Sequence, residues 1–204
     1  GLLRQCLLQR LQGEGVAVFD RTRMQDFSVA ARGVTLRMEG GPSIRASHLV
    51  LAAGYANQHW LEEAVARNRS SYALISDPLG EGELGFLQDT LLWETARPYL
   101  YARSTADRRL LLGGEDDAVD VPARRDARVE KKARTLLKRF GKLFPQLQLT
   151  PAFSWAGTFA ETGDGLPFFG PHRQWGPRVH FAMAYGGNGI TYSVLGAGLL
   201  AALV

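Results

Sequence analysis

Gly186, Gly187, Asn188 and Gly189 lie together in the segment AYGGNGIT. Three glycines and an asparagine in four positions let a ligand come close to the backbone, because no Cβ atoms stand in the way. An apolar run, FAMA, precedes the cluster. A run rich in small residues, ITYSVLGAGLLAALV, follows it. A strand, a glycine turn and a helix start in that order offer unpaired N–H groups to an electron-rich atom. The chemistry is that of holding an anion or the polar edge of a planar ligand. No Lys-Ser/Thr pair follows the glycines, which excludes a phosphate-binding P-loop. A plain N-cap by Asn188 explains the asparagine but not the excess of glycine. Ser193, Gly196, Ala197, Gly198 and Ala201 give the following helix a smooth face for tight packing against a strand or a ligand.

Other reactive residue types are sparse. In TGDGLP, Thr162 and Asp164 can bond nearby backbone while Gly163 and Gly165 turn the chain, which suits a hairpin over Pro151 to Gly170. Cys6 is the one cysteine and falls in a helical pattern with Leu2, Leu3, Leu7 and Leu11, as a small core residue would. A single cysteine makes no internal disulfide, and no metal-ligand cluster is present, so no metal is expected. This usage suits a reducing compartment, and a cytoplasmic location is expected. His48 opens a strand, as a surface or edge histidine rather than a ligand.

These residues must be positioned by the elements around them. Leu2 to Gln12 reads as an amphipathic helix ended by Gly13 and Gly15. Strands are predicted at Val16 to Phe19, Arg21 to Ala30, Val34 to Met38 and Ile44 to Ala46. His48 to Gly54, HLVLAAG, reads as a strand buried on both faces in a parallel sheet, followed by a helix from Tyr55 to Ala66. Ser71 to Ser76, Thr90 to Thr95, Tyr99 to Arg103 and Arg109 to Gly113 suggest an antiparallel meander, with an exposed loop at Gly80 to Gly85. Arg124 to Phe144 reads as one long helix. Its apolar positions are Val129, Ala133, Leu136, Leu137, Phe140 and Phe144. Lys131, Lys132, Arg134, Lys138, Arg139 and Lys142 form solvated faces. The expected fold is mixed α/β. Residues 1–69 and 151–204 would belong to one cofactor-binding domain, and residues 70–150 would form an antiparallel-sheet substrate domain with the long helix.

Composition narrows the function. The chain has 204 residues, 46% hydrophobic and 22% charged, with a formal net charge of +4. The basic residues are spread out, which argues against a nucleic-acid interface. No apolar run reaches the ~18 residues of a membrane span, and the N-terminus is not a secretory signal, so no membrane partner is expected. The chain starts with Gly and stops within an apolar helix, so both ends read as cuts through a longer protein. Self-association through surfaces exposed by truncation is then an expectation.

Several segments, in order, resemble FAD-dependent oxidoreductases of the D-amino-acid oxidase type, the group of glycine oxidase, sarcosine oxidase and gamma-glutamylputrescine oxidase. They are HLVLAAGYAN, SYALISDPL, ETARPYLYARSTADRRLLLGGEDD, WAGTFAETGDGLPFFG and AMAYGGNGIT. The resemblance covers nearly the whole chain, and its last two motifs together are the most specific. Family members open with a strand and a GxGxxG turn that receives the FAD diphosphate. That motif is missing here, since Gly80 to Gly85 lacks the strand-turn-helix setting. The resemblance therefore implies a C-terminal portion of such an enzyme, poor at binding FAD and inactive on its own.

The resemblance also implies roles. Flavin carries the chemistry, taking hydride from a substrate amine or amino acid to leave an imine. Gly186, Gly187, Asn188, Gly189, Ile190 and Thr191 would lie by the pyrimidine edge of the flavin. Met24 would offer backbone to the adenine, and Ala52, Ala53 and Gly54 would line the diphosphate side. Tyr99 matches a substrate-pocket tyrosine, although a core aromatic would serve equally at that position. Arg97 and Arg103 are nearby cations. Amino-acid-oxidising members place an arginine after the WAG-like strand to clamp the substrate carboxylate. Phe159 stands there instead, which favours an amine with an aliphatic arm over a free alpha-amino acid. Members with covalent FAD attach it to a cysteine in their C-terminal half. Cys6 lies at the other end, so non-covalent FAD is implied. Two alternatives remain open: a non-catalytic binding or assembly module that keeps the fold, and a flavin-dependent domain of an RNA-modifying enzyme.

Overall fold

A computed structural model of the chain describes residues 2–204. It contains helix α1 (Leu2–Gly13), strands β1 (Met24–Ala30), β2 (Gly33–Met38), β3 (Ser43–Ala46) and β4 (Leu49–Leu51), and a 3₁₀ segment at Gly54–Trp60. Strands β5 (Arg67–Ser76), β6 (Leu91–Trp93), β7 (Leu100–Ser104) and β8 (Leu110–Asp117) come next, then helices α2 (Pro122–Asp126) and α3 (Val129–Leu143). The chain ends with β9 (Pro151–Glu161), β10 (Phe168–Pro171), β11 (Val179–Met183) and α4 (Gly189–Ala201). It divides into two compact units, Gly1–Val50 with Pro171–His180 and Leu51–Gly170 with Phe181–Val204. Strands β10, β11 and β4 form a three-stranded sheet in that order.

In the first unit, β1, β2 and β3 form an antiparallel sheet in sequence order. Gly33 starts β2 because a Cβ there would stand 2.5 Å from the Ala46 carbonyl oxygen. Phe27, Val34 and Met38 are buried, and the Phe27 ring meets Trp175 at 4.5 Å. The Arg178 guanidinium donates to the carbonyls of Ala31 (3.0 Å) and Ser47 (3.2 Å) and so ties the returning segment to the sheet. Helix α1 forms where expected, but none of its residues is buried. Cys6 is therefore exposed, not a core residue. Residues 16–19 do not form the expected strand, since none of the described strands pairs with them.

The second unit is built on a five-stranded sheet, β6-β7-β8-β5-β9, with every neighbouring pair antiparallel. The expected meander is present as β6-β7-β8. One face carries Leu74, Leu100, Leu110 and Leu112, which pack with Leu136 and Phe140 of α3 in a cluster excluded from solvent. The spacing of Ala133, Leu136 and Phe140 puts them on one stripe of the helix. The single long helix expected from Arg124 is instead two, interrupted at residues 127–128. Two of its basic residues, Lys132 and Arg139, are not solvated but meet the sheet's carboxylates.

Three further expectations change. Strand β4 is not buried on both faces: Leu49 and Leu51 are buried while Val50 is 42% exposed, an ordinary strand alternation. The helix expected over residues 55–66 is only the 3₁₀ segment. Its backbone is satisfied by side chains instead: Gln58 Oε1 accepts from the N–H groups of Val65 (3.0 Å) and Ala66 (3.1 Å). The TGDGLP turn forms, with Asp164 accepting from Thr162 (2.7 Å) and from the Leu166 N–H (3.0 Å). Its flanking strands do not make a hairpin, because β9 pairs with β5 and β10 with β11.

Candidate functional site

The site lies in the second unit, on the sheet face opposite α3. Along β7, Leu100 and Ala102 enter the core, while Tyr101 and the preceding Tyr99 line a cavity. Two glycines of β8 permit this. A Cβ on Gly113 would stand 2.1 Å from Cζ of Tyr101, and one on Gly114 would stand 2.0 Å from the Tyr99 carbonyl oxygen. Gly114 has φ +131°, a value that side-chain-bearing residues rarely adopt.

A β-bulge follows. Tyr72 pairs with Gly114, but Ser70 pairs with Asp117, so β8 carries one residue more than β5 across this interval. Bulges re-aim side chains. Here Glu115, at φ 55°, and Asp117 turn to the basic residues of α3, while Asp116 between them lines the cavity. Burial pushes the Tyr99 phenol well above its ordinary pKa, and Asp116 beside it adds to the shift. Burial and Asp116 raise Tyr101 in the same direction. Both hydroxyls therefore stay protonated and can donate.

Two adjoining lobes make up the cavity. The larger, about 620 Å³, reaches Trp93, Tyr99, Tyr101, Phe159 and the turn at Gly186, Gly187 and Asn188. The smaller, about 490 Å³, shares Arg97, Tyr99, Asp116 and Glu161 with it and adds Arg69 and Pro98. Phe159 lies directly opposite Arg69 in the β5–β9 ladder. Arg69 donates through Nη1 to Glu161 at 2.7 Å, a diagonal pair on the same sheet face.

The glycine turn is fastened to this sheet. Ala184 takes a left-handed conformation (φ 64°), Tyr185 bridges Glu161, and the Gly186 N–H donates to Ala160 at 3.0 Å. The Asn188 N–H donates to Tyr185 at 3.1 Å. Asn188 occupies the N-cap position of α4 but makes no side-chain cap bond. The Tyr192 N–H reaches Asn188 O at 3.0 Å, so Gly189, Ile190 and Thr191 supply the helix-start amides that lack intrahelical acceptors. A Cβ on Gly186 or Gly189 would meet nothing within 4 Å, and one on Gly187 would meet only the Tyr99 hydroxyl, at 3.7 Å. An open turn with helix-start donors fits the electron-rich edge of a planar ligand. Behind it, only Gly196 and Leu200 of α4 are buried, with the Phe169 ring pressed onto Gly196.

Gly186 to Asn188, Tyr99 and Phe159 thus share one cavity, and Gly189 to Thr191 continue from its turn. Ala52, Ala53 and Gly54 lie apart, on the loop after β4. The Ala53 N–H is engaged by Asn57 Oδ1 at 3.0 Å. Asn57 is fully buried and donates to Leu51 O (2.8 Å) and Ala182 O (3.0 Å), which fixes that loop to the strand leading into the glycine turn. Met24 opens β1 in the other unit. Arg103 is an exposed residue of β7. Sequence reasoning missed Asn57, Arg69, Asp116 and Glu161. The paired glycines before Glu115 were the available signal for the bulge, and an asparagine three residues past Gly54 was the signal for the loop clamp.

A family model described as FAD dependent oxidoreductase matches residues 1–203. A search of curated proteins gives no match. Among solved structures, glycine oxidase from Geobacillus kaustophilus is similar at 21% identity and TM-score 0.66, over 93% of this chain and 49% of that one. Iminodiacetate oxidase from Chelativorans sp. BNC1 is similar at 15% identity and TM-score 0.73, over 99% and 53%. A thermally stable mutant of fructosyl peptide oxidase is similar at 15% identity and TM-score 0.74, over 90% and 49%. The chain spans about half the length of these structures.

Proposed function

The chain belongs to the FAD-dependent oxidoreductases of the D-amino-acid oxidase type, and from that premise we propose that it is part of a longer flavoprotein that oxidises a small amine or amino acid to an imine. The observation that carries this reading is the convergence of the glycine turn, Tyr99 and Phe159 on one cavity. FAD, held non-covalently, would supply the hydride acceptor when bound. The amides of Gly189, Ile190 and Thr191 would hold the electron-rich edge of the flavin, because as helix-start donors they are already oriented and need not reorganise. Gly186 and Asn188 spend their own amides on holding the turn. By the family resemblance, Ala52 and Gly54 would line the diphosphate side. Tyr99 donates its hydroxyl toward the substrate, and Phe159 packs on its aliphatic part.

The exposed apolar residues of α4, among them Ile190, Val194, Leu195 and Leu199, support the reading of a longer protein whose remaining part covers them. On this reading the 204-residue chain alone is inactive and prone to self-associate through that surface. The lone cysteine supports a cytoplasmic location. The test is to purify the longer protein, record its flavin absorbance, and screen amines and amino acids for flavin reduction without oxygen. A yellow protein bleached by an amine is the expected result. A colourless protein, or one that no amine reduces, sinks the proposal.

A further inference from the structure

The smaller lobe of the cavity carries two polar atoms of opposite character with no partner among the described residues. Arg69 Nε and Asp116 Oδ1 are both buried, and neither accepts or donates a hydrogen bond. Buried polar atoms left unpaired are rare in folded proteins and call for an explanation. Arg69 is not loose, since Glu161 holds its Nη1 at 2.7 Å and leaves Nε to an acceptor from outside the chain. Asp116 is aimed here by the bulge and the two glycines before it. Arg97, 5.4 Å from the Tyr99 ring centre, adds a second cation to the same lobe. A ligand with one charge would satisfy one of the two orphaned atoms and bury the other. A ligand with an anionic and a cationic group side by side satisfies both.

The lobe holding Arg69 does not include the glycine turn, whereas the larger lobe does. Resting on the reading of this cavity as a substrate site, we propose that the smaller lobe is a head-group subsite: it takes the zwitterionic amino-acid end of an extended substrate whose reacting amine lies at the far end of an aliphatic arm. Arg69 and Arg97 receive the carboxylate and Asp116 the head ammonium. The cation that Phe159 cannot be is thus supplied from the neighbouring strand, and it binds the end of the substrate that does not react.

The test is calorimetric titration of the full-length protein that carries this chain, with four probes. Lysine carries the head, the arm and the far amine. Norleucine lacks the far amine, cadaverine lacks the head carboxylate, and 6-aminohexanoate lacks the head amine. Lysine and norleucine are expected to bind alike, and cadaverine and 6-aminohexanoate about tenfold weaker or more. Arg69→Met and Asp116→Asn should each weaken norleucine about tenfold, and Arg69→Lys should restore part of the loss. Failure of norleucine to bind, cadaverine binding as well as lysine, or variants that bind norleucine like the wild type would overturn the subsite. Circular dichroism checks that each variant folds, and the wild-type probe series decides the matter if one does not. Amine oxidation by a flavoprotein that ignores norleucine overturns this subsite and leaves the proposed function standing. Norleucine binding by a protein without flavin does the reverse.

Discussion

The two faces of the five-stranded sheet treat charge in opposite ways. Toward α3, Glu115 meets Arg139 at 2.5 Å and Lys132 at 3.8 Å, and Asp117 meets Arg128 at 2.9 Å and Lys132 at 3.5 Å. The Tyr72 hydroxyl adds a bond to Asp117 at 3.2 Å, and Arg139 also pairs with Glu94. Toward the cavity, Arg69 and Asp116 keep buried atoms without partners. One bulge sends three consecutive acids to these two fates. The contrast separates charges that hold the fold from charges held ready for something else, because a satisfied polar network rigidifies its surroundings and an unsatisfied one destabilises unless a ligand completes it.

Substitutions can break or sharpen that contrast. Phe140→Ala empties the core under the α3 face and should cost about 3–5 kcal/mol in urea unfolding. Gly114→Ala forces a Cβ against the Tyr99 carbonyl at a left-handed φ and should cost about 3 kcal/mol, since backbone on both sides cannot give way. Arg139→Met leaves Glu115 on the α3 face with only Lys132, at 3.8 Å, as its ion-pair partner among the described residues and should cost about 2 kcal/mol. Asp116→Asn, one residue along, should change stability by about 1 kcal/mol or less, because its buried Oδ1 has no partner to lose and only its contact with Tyr99 is weakened. Equal losses for Arg139→Met and Asp116→Asn would erase the distinction between the faces.

A pH series sharpens it further. Burial works against ionisation of Asp117, but hydrogen bonds from Arg128 and the Val119 N–H, with Lys132 nearby, outweigh it and hold the carboxyl below its ordinary value. A depressed carboxylate contributes stability that is present above the unfolded value of about 3.9 and is lost as pH falls through the folded one. Urea-unfolding midpoints of wild type and Asp117→Asn, measured at a series of pH values, should therefore converge as pH drops below that range. Midpoints that stay equally far apart throughout would show that the α3-side network does not act through this charge.

Much of the architecture was legible. The strands β1, β2, β3, β5, β6, β7 and β8, the core positions of α3 and the helix following the glycine turn come from periodicity and turn chemistry, which neighbouring residues decide among themselves. Misreadings came where a distant group intervened. The stretch after Gly54 has helical composition, yet the side chains of Asn57 and Gln58 take over its backbone bonds. Cys6 follows a core-like pattern on a helix that buries none of its residues. The strands flanking TGDGLP look like a hairpin, but each found another partner.

The same division holds in the site. By itself the sequence determined that Gly186 to Thr191 would form a glycine turn leading into a helix start with free amides, that Phe159 would bring no cation, and that the chain is of the flavin-oxidoreductase kind. Glycine freedom, helix starts and side-chain identity are properties of adjacent residues. Only the tertiary structure decided which charges meet. Arg69 and Glu161 are 92 positions apart and become neighbours through the register of β5 with β9. Asp116 faces the cavity, rather than α3, because one extra residue in β8 inverts the alternation of the strand. A one-residue shift in register turns a side chain to the other face, and long-range pairing sets that register.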